Sequence, residues 1–362
     1  MTQVWQIAAG TSERNYTDLF LKYDIMFMGP GRYGDYNKKE SDYKQAVERE
    51  QETSNRIHRI RSFVQDVKNG DIVLLRNFHK GVAIGIVDTA GYEWNKTFDD
   101  VFGWDLQHTR RVLWQEHLKK ELEDIQKNGV LYAQRKQIPT FSRLKDKNVL
   151  YKIESLFSQC ETRPLKPLPP PPPEPLEIYE VGQELFSKGI PNELVDKVLI
   201  TIQRQRRLLN WYEKDKNRKK GRRPSEHEVV AHIILPLMLA LGWSEQLLAV
   251  EWQKIDLAAF VKTPTTADHC VLVCEAKREG HGLQDSLEQP KKYIENLKLD
   301  NCRKILLTEG ARLYLYKREG AVWKDQPIGY LNVKSIRTNH IAPANTNAID
   351  TIVALTPSGI VR

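Results

Sequence analysis

Apolar residues in the first 115 positions come in short β-branched runs separated by polar turns, which predicts strands and not long helices. Residues 4–8, 24–28, 71–75, 81–87 and 110–114 each read as a strand, and Gly29-Pro-Gly31 closes the second. Residues 44–67 begin polar and become helical, with Ile57, Ile60 and Phe63 at helical spacing. The pattern predicts a small mixed or mainly β domain, built as a barrel, with residues 116–158 as a helical extension.

The second half has a different rhythm. Residues 193–211 read as a helix with Leu194, Val198, Ile202 and Leu209 on one stripe. Residues 226–241 read as an amphipathic helix carrying Val229, Val230, Ile233, Ile234 and Leu237, and Gly242 stops it. Then follow a strand pair or one bent strand over 248–260 and a buried central strand over 269–277. A helix over 283–297 comes next, then strands over 304–308 and 312–316 joined around Glu309-Gly310. This is an α/β core, a mixed sheet flanked by helices. The tail after Ile341 carries little pattern, and there are no internal repeats.

Between the halves lies a run of five consecutive prolines, Pro169 to Pro173. Such a run favours polyproline II, and at roughly 3.1 Å per residue the whole Pro-rich segment spans about 30–35 Å. It reads as a spacer, with a ligand for an aromatic groove as the competing reading. The expected organisation is 1–160, a linker at 161–176, a basic helical segment at 177–223, a core at 224–340 and a tail at 341–362.

Charge sharpens the picture. The formal net charge is +8 with 28% charged residues, which makes a polyanion a natural partner. The stretch 204–223 holds ten Lys or Arg against two acids. Arg218, Lys219, Lys220, Arg222 and Arg223 are its candidate phosphate contacts, with a solvated helix end as the bland alternative. The four cysteines, Cys160, Cys270, Cys274 and Cys302, form no CxxC pair, which argues against a zinc cluster and suits a reducing compartment. No secretory leader or membrane-spanning apolar run is legible, so a cytoplasmic protein with no membrane partner is expected.

Four features of the second half fall in order: Glu226 near the start of a helix, Asp256 on a strand, Glu275-Ala-Lys277 ending the central strand, and Gln289 with Tyr293 on the next helix. Phosphodiester hydrolysis needs charge neutralised on the phosphate and hydroxide generated near neutral pH. A hard divalent cation held by oxygen does both. Asp256, Glu275 and the main-chain carbonyl of Ala276 are the candidate metal ligands. Glu275 and Lys277 share a strand face, so Lys277 can stabilise transition-state charge or orient water. Gln289 and Tyr293 share a helix face. A lone Glu-x-Lys is usually a solvated strand edge, but here it ends a strand buried on both sides.

The segments Ser225-Glu-His-Glu-Val-Val, Leu241-Gly-Trp243, Lys254-Ile-Asp-Leu-Ala, Cys274-Glu-Ala-Lys-Arg278, Gln289-Pro-Lys-Lys-Tyr293 and Leu307-Thr-Glu-Gly310 resemble the PD-(D/E)XK nuclease superfamily. Within it they are most similar to the nuclease domain of type I restriction enzyme motor subunits. The resemblance covers about residues 220–320. It implies Mg²⁺-dependent DNA cleavage (Mn²⁺ as an alternative), with Asp256 and Glu275 as metal ligands and Lys277 as the catalytic lysine. Gln289 and Tyr293 match that family's Gln-x-x-x-Tyr motif. Glu226 is preferred to Glu228 as the first-helix acid because it shares a face with Val229, Val230 and Ile233. No Walker A sequence is present, so ATP is not expected.

Residues 1–115 are rich in aromatics, several of them in expected loops, which suits stacking on an extruded base; core packing is the ordinary explanation for most. Val4-Trp-Gln-Ile-Ala-Ala-Gly10, Ile25-Met-Phe-Met-Gly29, Gly34-Asp35, Val67-Lys-Asn-Gly-Asp-Ile-Val73, Ala83-Ile-Gly-Ile-Val87 and Arg110-Arg-Val-Leu-Trp114 resemble the PUA-like superfamily, nearest its EVE and YTH-like branches. That resemblance implies an aromatic pocket for a modified base, with Trp94 and Trp104 as first candidates and Trp5 or Tyr33 as further ones. The combined expectation is a modification-dependent restriction endonuclease of a phage-defence type, acting on DNA as a homodimer. A nucleic-acid-binding protein with a non-catalytic nuclease fold, and an RNA-directed reader or nuclease, are the alternatives.

Overall fold

In the computed structural model, residues 2–11, 14–49, 52–77, 80–127, 140–214, 223–279 and 282–361 are described. The chain divides into two units, Met1–Pro171 and Pro172–Arg362, each a mixed sheet with helices. Among the described residues no helix is long and apolar enough to cross a membrane.

The first unit begins with β1 Val4–Ala8, a two-strand ladder of β2 Gly10–Thr11 and β3 Arg14–Asn15, α1 Thr17–Lys22 and β4 Ile25–Met28. Helices α2 Tyr36–Glu48 and α3 Ser54–Arg61 follow, and α3 runs into a π-helical turn, Ser62–Asp66. Then come β5 Ile72–Asn77, β6 Lys80–Trp94, β7 His108–Gln115, α4 Lys119–Lys127, β8 Phe141–Arg143 and α5 Lys147–Phe157. The sheet order is β4-β7-β6-β5-β1-β8, with β1 and β5 parallel. Among the described residues no ladder joins β4 to β8, so this is an open sheet and not a closed barrel.

Two sequence expectations are corrected here. Residues 116–158 are not one helical run: β8 interrupts them and adds to the sheet edge, pairing Ile7 with Phe141 and Trp5 with Arg143. A three-residue strand is too short to show periodicity, and its stability comes from the β1 edge. Strand β6 also continues past the expected 81–87. After a register shift it resumes pairing with β7 from Tyr92 to Trp94, so Trp94 stands on a strand and not in a loop.

The parallel β1–β5 pair is clasped by Asp71. Its carboxylate accepts from Trp5 Nε1 (2.9 Å) and from the main-chain N of Gln3 (2.9 Å) and Lys68 (2.9 Å). Beneath the sheet, Val4, Ile72, Leu74 and Ile84 pack on Leu122 of α4 and on Val149 and Ile153 of α5. The Pro-rich segment forms no helix or strand. Its start is held to this unit through buried Asp24, which accepts from Arg163 Nη2 (2.8 Å) and the Lys166 main-chain N (2.8 Å).

The second unit opens with α6 Ile178–Ser187 and α7 Asn192–Lys214. Helix α8 Glu226–Val229 passes through a π-helical turn, Val230–Ile234, into α9 Leu235–Ala240. Strands β9 Leu248–Trp252, β10 Ile255–Phe260 and β11 Cys270–Ala276 come next, then α10 Glu288–Asn296, β12 Lys304–Thr308, β13 Arg312–Glu319, β14 Val322–Trp323 and β15 Gly329–Asn332. The sheet runs β14-β13-β12-β11-β10-β9, with β15 also on β13. Only β11 and β12 are parallel among its described ladders, the signature of a crossover through α10. All seven residues of β11 are buried, as expected for a central strand.

Helices α6 and α7 belong to this core, because Val181, Leu185, Val198 and Ile202 pack with Val229 and Ile233. Gln205 Nε2 donates to Ile233 O at 2.8 Å, answering a carbonyl of the π-helical turn. The tail also departs from expectation. It forms α11 Ala348–Ala354 and α12 Pro357–Val361, which bury Ile349, Ile352 and Ile360 in the same core.

Candidate functional site

Hairpin geometry brings the acids together. Strands β10 and β11 pair Leu257 with Cys274. One step further along this antiparallel register, Asp256 stands beside Glu275, both on one sheet face. Asp256 Oδ2 accepts from the Ala276 main-chain N at 2.7 Å. The β9–β10 turn, Gln253-Lys254, has two non-glycine residues in left-handed conformation (φ 52° and 69°), and Glu251 shares it (φ 54°). Such residues cost about 1 kcal/mol or more each. The turn holds Glu251 within electrostatic reach of Asp256, and Glu251 Oε1 meets His227 Nδ1 at 3.0 Å.

Glu275 is only 2% exposed. Its Oε1 accepts from Lys277 Nζ, while its buried Oε2 has no hydrogen-bond partner among the described residues. Lys277 Nζ also donates to Gln289 Oε1 (3.0 Å), and Gln289 Nε2 donates to Tyr293 OH (2.9 Å). The main-chain N of Lys277 donates to Thr308 O at 2.7 Å, so the lysine leaves the sheet from a fixed base. Four sequence-selected residues, Glu275, Lys277, Gln289 and Tyr293, thus form one hydrogen-bonded chain beside Asp256.

Burial pushes the Glu275 carboxyl up to about 7, with Asp256 and Glu226 adding to the rise and Lys277 opposing it. Asp256 is raised for the same first reason, burial. The Ala276 N–H and Lys277 oppose that rise, and Glu251 and Glu226 reinforce it. Glu226 therefore faces this site electrostatically. Glu228 does not project into it: its Oε2 accepts from the Ser225 main-chain N (2.8 Å) as a capping box, and its Oε1 accepts from Tyr212 OH (3.1 Å).

Two carboxylates side by side repel unless a cation lies between them. The orphaned Oε2 of Glu275 is a lone pair aimed at nothing. Among the described residues no group of three or more His, Cys, Asp or Glu side chains is placed to hold a metal, so an all-side-chain cage does not fit. Asp256 and Glu275, with the partnerless Glu275 Oε2, suit a hard divalent cation of the Mg²⁺ kind. Such an ion takes one or two carboxylates and leaves its other positions to water and phosphate oxygen. Of the basic run, Arg223 is exposed and its Nη1 donates to Glu279 O at 2.9 Å. Arg218, Lys219, Lys220 and Arg222 lie outside the described residues.

In the first unit, three of the four candidate aromatics gather around the loop 29–34. Trp94 Nε1 donates to Gly31 O at 2.9 Å. The Tyr33 ring meets Tyr43 edge-on at 5.2 Å, under the guanidinium of Arg32. Trp104 closes a tight turn with Val101, and the next residue, Asp105, accepts from the main-chain N of Gly31 (3.0 Å) and Arg32 (3.2 Å). Trp94 and Trp104 are half-buried, as is Tyr33.

Beneath them lies a network that the sequence did not reveal. His108 pairs with Trp94 across β6 and β7 and bonds Tyr92 OH through Nδ1 (2.8 Å) and Tyr43 OH through Nε2 (2.8 Å). Burial lowers the His108 imidazole to about 4, so it is neutral. Trp5 sits elsewhere. It is 4% exposed, stacked on Phe141 at 5.1 Å and bonded to Asp71, which makes it a core residue.

Residues 5–142 match the model of a family described as a domain of unknown function, DUF8426. None of the curated proteins and none of the solved structures matches the chain.

Proposed function

We propose that this chain is a modification-dependent DNA endonuclease, in which the second unit hydrolyses the phosphodiester and the first reads a modified base. One observation carries the nuclease reading: Asp256, Glu275 and Lys277 converge at the ends of adjacent strands, with a buried Glu275 oxygen lacking any partner. The helix-strand-helix order around them supports the PD-(D/E)XK resemblance.

Asp256, Glu275 and the Ala276 carbonyl would hold Mg²⁺ or Mn²⁺. When bound, the ion supplies charge neutralisation at the phosphate and a more acidic water. Lys277 presents an ammonium to the non-bridging phosphate oxygens, where its charge counts most as negative charge grows. Gln289 and Tyr293 fix the direction of that ammonium. Glu226 adds negative potential at the rim and draws the cation in.

The first unit is read as a PUA-like sheet that is not closed into a barrel. Tyr33, Trp94 and Trp104 would flank an extruded base, and the neutral His108 network beneath would hold them rigid. The three buried cysteines, Cys270, Cys274 and Cys302, suit a reducing, cytoplasmic setting. One such site cuts one strand, so a double-strand break needs a homodimer or two binding events.

The test is a Mg²⁺ digest of matched modified DNA, unmodified DNA and RNA by the full chain and by Glu275→Gln. Cleavage of modified DNA by the full chain alone is the expected result. Binding without cleavage in every case would favour a reader on a non-catalytic nuclease fold, and cleavage of RNA alone would make the protein RNA-directed.

A further inference from the structure

The first unit carries a second surface that the aromatic cluster does not use. A cleft of about 770 Å³ opens between α3, its π-helical turn and the edge strand β8. Its rim carries Arg59, Lys68, Arg143 and Lys145 against a single acid, Asp66. Some cations of this unit do find carboxylates: Arg32 and Arg56 share Glu52, and Arg163 holds Asp24. Among the described residues none of the four rim cations has an ion pair, and the one hydrogen bond from their side chains runs from Lys68 Nζ to Gln65 O at 2.9 Å. Four unpaired cations around one concavity repel each other and set up a positive field, an arrangement that a polyanion relieves.

We propose that this cleft takes the phosphodiester backbone of the DNA whose base the aromatic cluster reads; the inference rests on that reading of the first unit. The floor decides between backbone and base. Trp5 and Phe141 line it, but they are 4% and 1% exposed and stacked on each other, so neither offers a free ring face to a nucleobase. Gln3, Asn55, His58, Ser62, Gln65 and Ser142 complete the lining, and their N–H and O–H donors suit phosphate oxygens. Helix α3 links the two surfaces: Arg56 reaches Glu52, which holds Arg32 above Tyr33, while Arg59 one turn on reaches the cleft. Backbone contacts here would set the register in which a base meets the aromatic loop.

The experiment is a binding titration of the full chain in EDTA, on matched modified and unmodified duplexes over a salt series. Arg59→Ala/Arg143→Ala/Lys145→Ala should reduce the slope of log affinity against log salt by about 2–3, roughly 0.9 per lost phosphate contact. It should weaken both duplexes by the same factor. Asp66→Asn should tighten both. Arg59→Lys/Arg143→Lys keeps the charge and should keep the slope, which separates electrostatics from folding. An unchanged slope in the alanine variant overturns the proposal, as does a lost slope in the lysine variant, or equal competition by poly-L-glutamate. Failure of the base-reading proposal has its own mark: the unsubstituted chain would not distinguish the duplexes, whatever the slope does.

Discussion

Lys277 Nζ lies 3.0 Å from Gln289 Oε1, so a residue just beyond the end of strand β11 is aimed by a residue on helix α10. The amide of Gln289 is fixed in turn by Tyr293. The lysine and its two supports therefore act as a unit, and their substitutions should not add. Lys277→Met is expected to lower the cleavage rate about 10²–10³-fold. Gln289→Ala should cost about tenfold, and the double variant should be no slower than Lys277→Met alone. Single-turnover cleavage rates check this. Fully additive losses would mean that Gln289 acts on its own.

Burial pushes the Glu275 carboxyl up to about 7, and only its ionised form can hold a cation. Binding of Mn²⁺ must then displace a proton below that pH, so the metal affinity should fall by up to about tenfold per pH unit below 7. Calorimetric titration with Mn²⁺ at pH 6 and pH 8 measures it, with no need for cleavage. The stability sign is also fixed. A carboxyl raised above its unfolded value near 4.5 binds more protons when folded, so its ionisation erodes stability as pH climbs from 4.5 to 7. Mn²⁺ added at pH 8 should accordingly raise the Tm. A metal affinity that does not vary with pH would remove Glu275 from the ligand set.

Trp5 and Trp94 should separate cleanly. Trp5 closes the clasp on buried Asp71, so Trp5→Phe should destabilise the first unit by about 1–3 kcal/mol, the cost of a buried polar group left short of a partner. Trp94 is half-buried with its ring at the aromatic cluster. Trp94→Ala should erode discrimination between modified and unmodified DNA by about 1–3 kcal/mol, with less effect on total affinity. Urea denaturation and duplex titrations of both variants decide it. Selectivity lost in a well-folded Trp5→Phe, with Trp94→Ala unaffected, would reverse the two roles.

The cluster of Glu275, Lys277, Gln289 and Tyr293 was legible because its members sit on or next to regular elements. Alternation along β11 places Glu275 and Lys277 on one face, and a 3.6-residue period does the same for Gln289 and Tyr293. The preference for Glu226 over Glu228 rested on the face it shares with Val229, Val230 and Ile233; the structure adds a reason of another kind, because Glu228 is occupied in a capping box with Ser225. Glu251 could not be found that way, since its role depends on a strained turn without glycine. The tail helices were missed although Asn347 caps α11 by accepting from the Ile349 main-chain N; α11 has seven residues and α12 five, too few for a period. The His108 network joins loop 29–34, α2, β6 and β7, and no local pattern announces such a union.

His108 gives the first unit an acid-sensitive centre. It is fully buried, with Nδ1 accepting from Tyr92 OH and Nε2 facing Tyr43 OH and Pro30 O (3.1 Å). That arrangement suits a neutral ring with its proton on Nε2. Burial lowers its folded value to about 4, although the Pro30 carbonyl and Asp35 resist the shift. In the unfolded chain it titrates near 6.5. Between those values the unfolded state holds the extra proton, so stability falls as pH drops from 6.5 towards 4. The full shift corresponds to a loss on the order of 3 kcal/mol. Glu275 in the second unit has the opposite sign over much of this range, so the measurement must be local. Amide exchange of β6 and β7 between pH 7 and pH 4, compared with the α7 and β11 amides, provides that. His108→Gln keeps one donor and one acceptor but cannot titrate. It should remove the acid-dependent loss of protection in β6 and β7 while leaving the neutral-pH fold in place. Equal acid sensitivity in both proteins would show that another group governs the first unit.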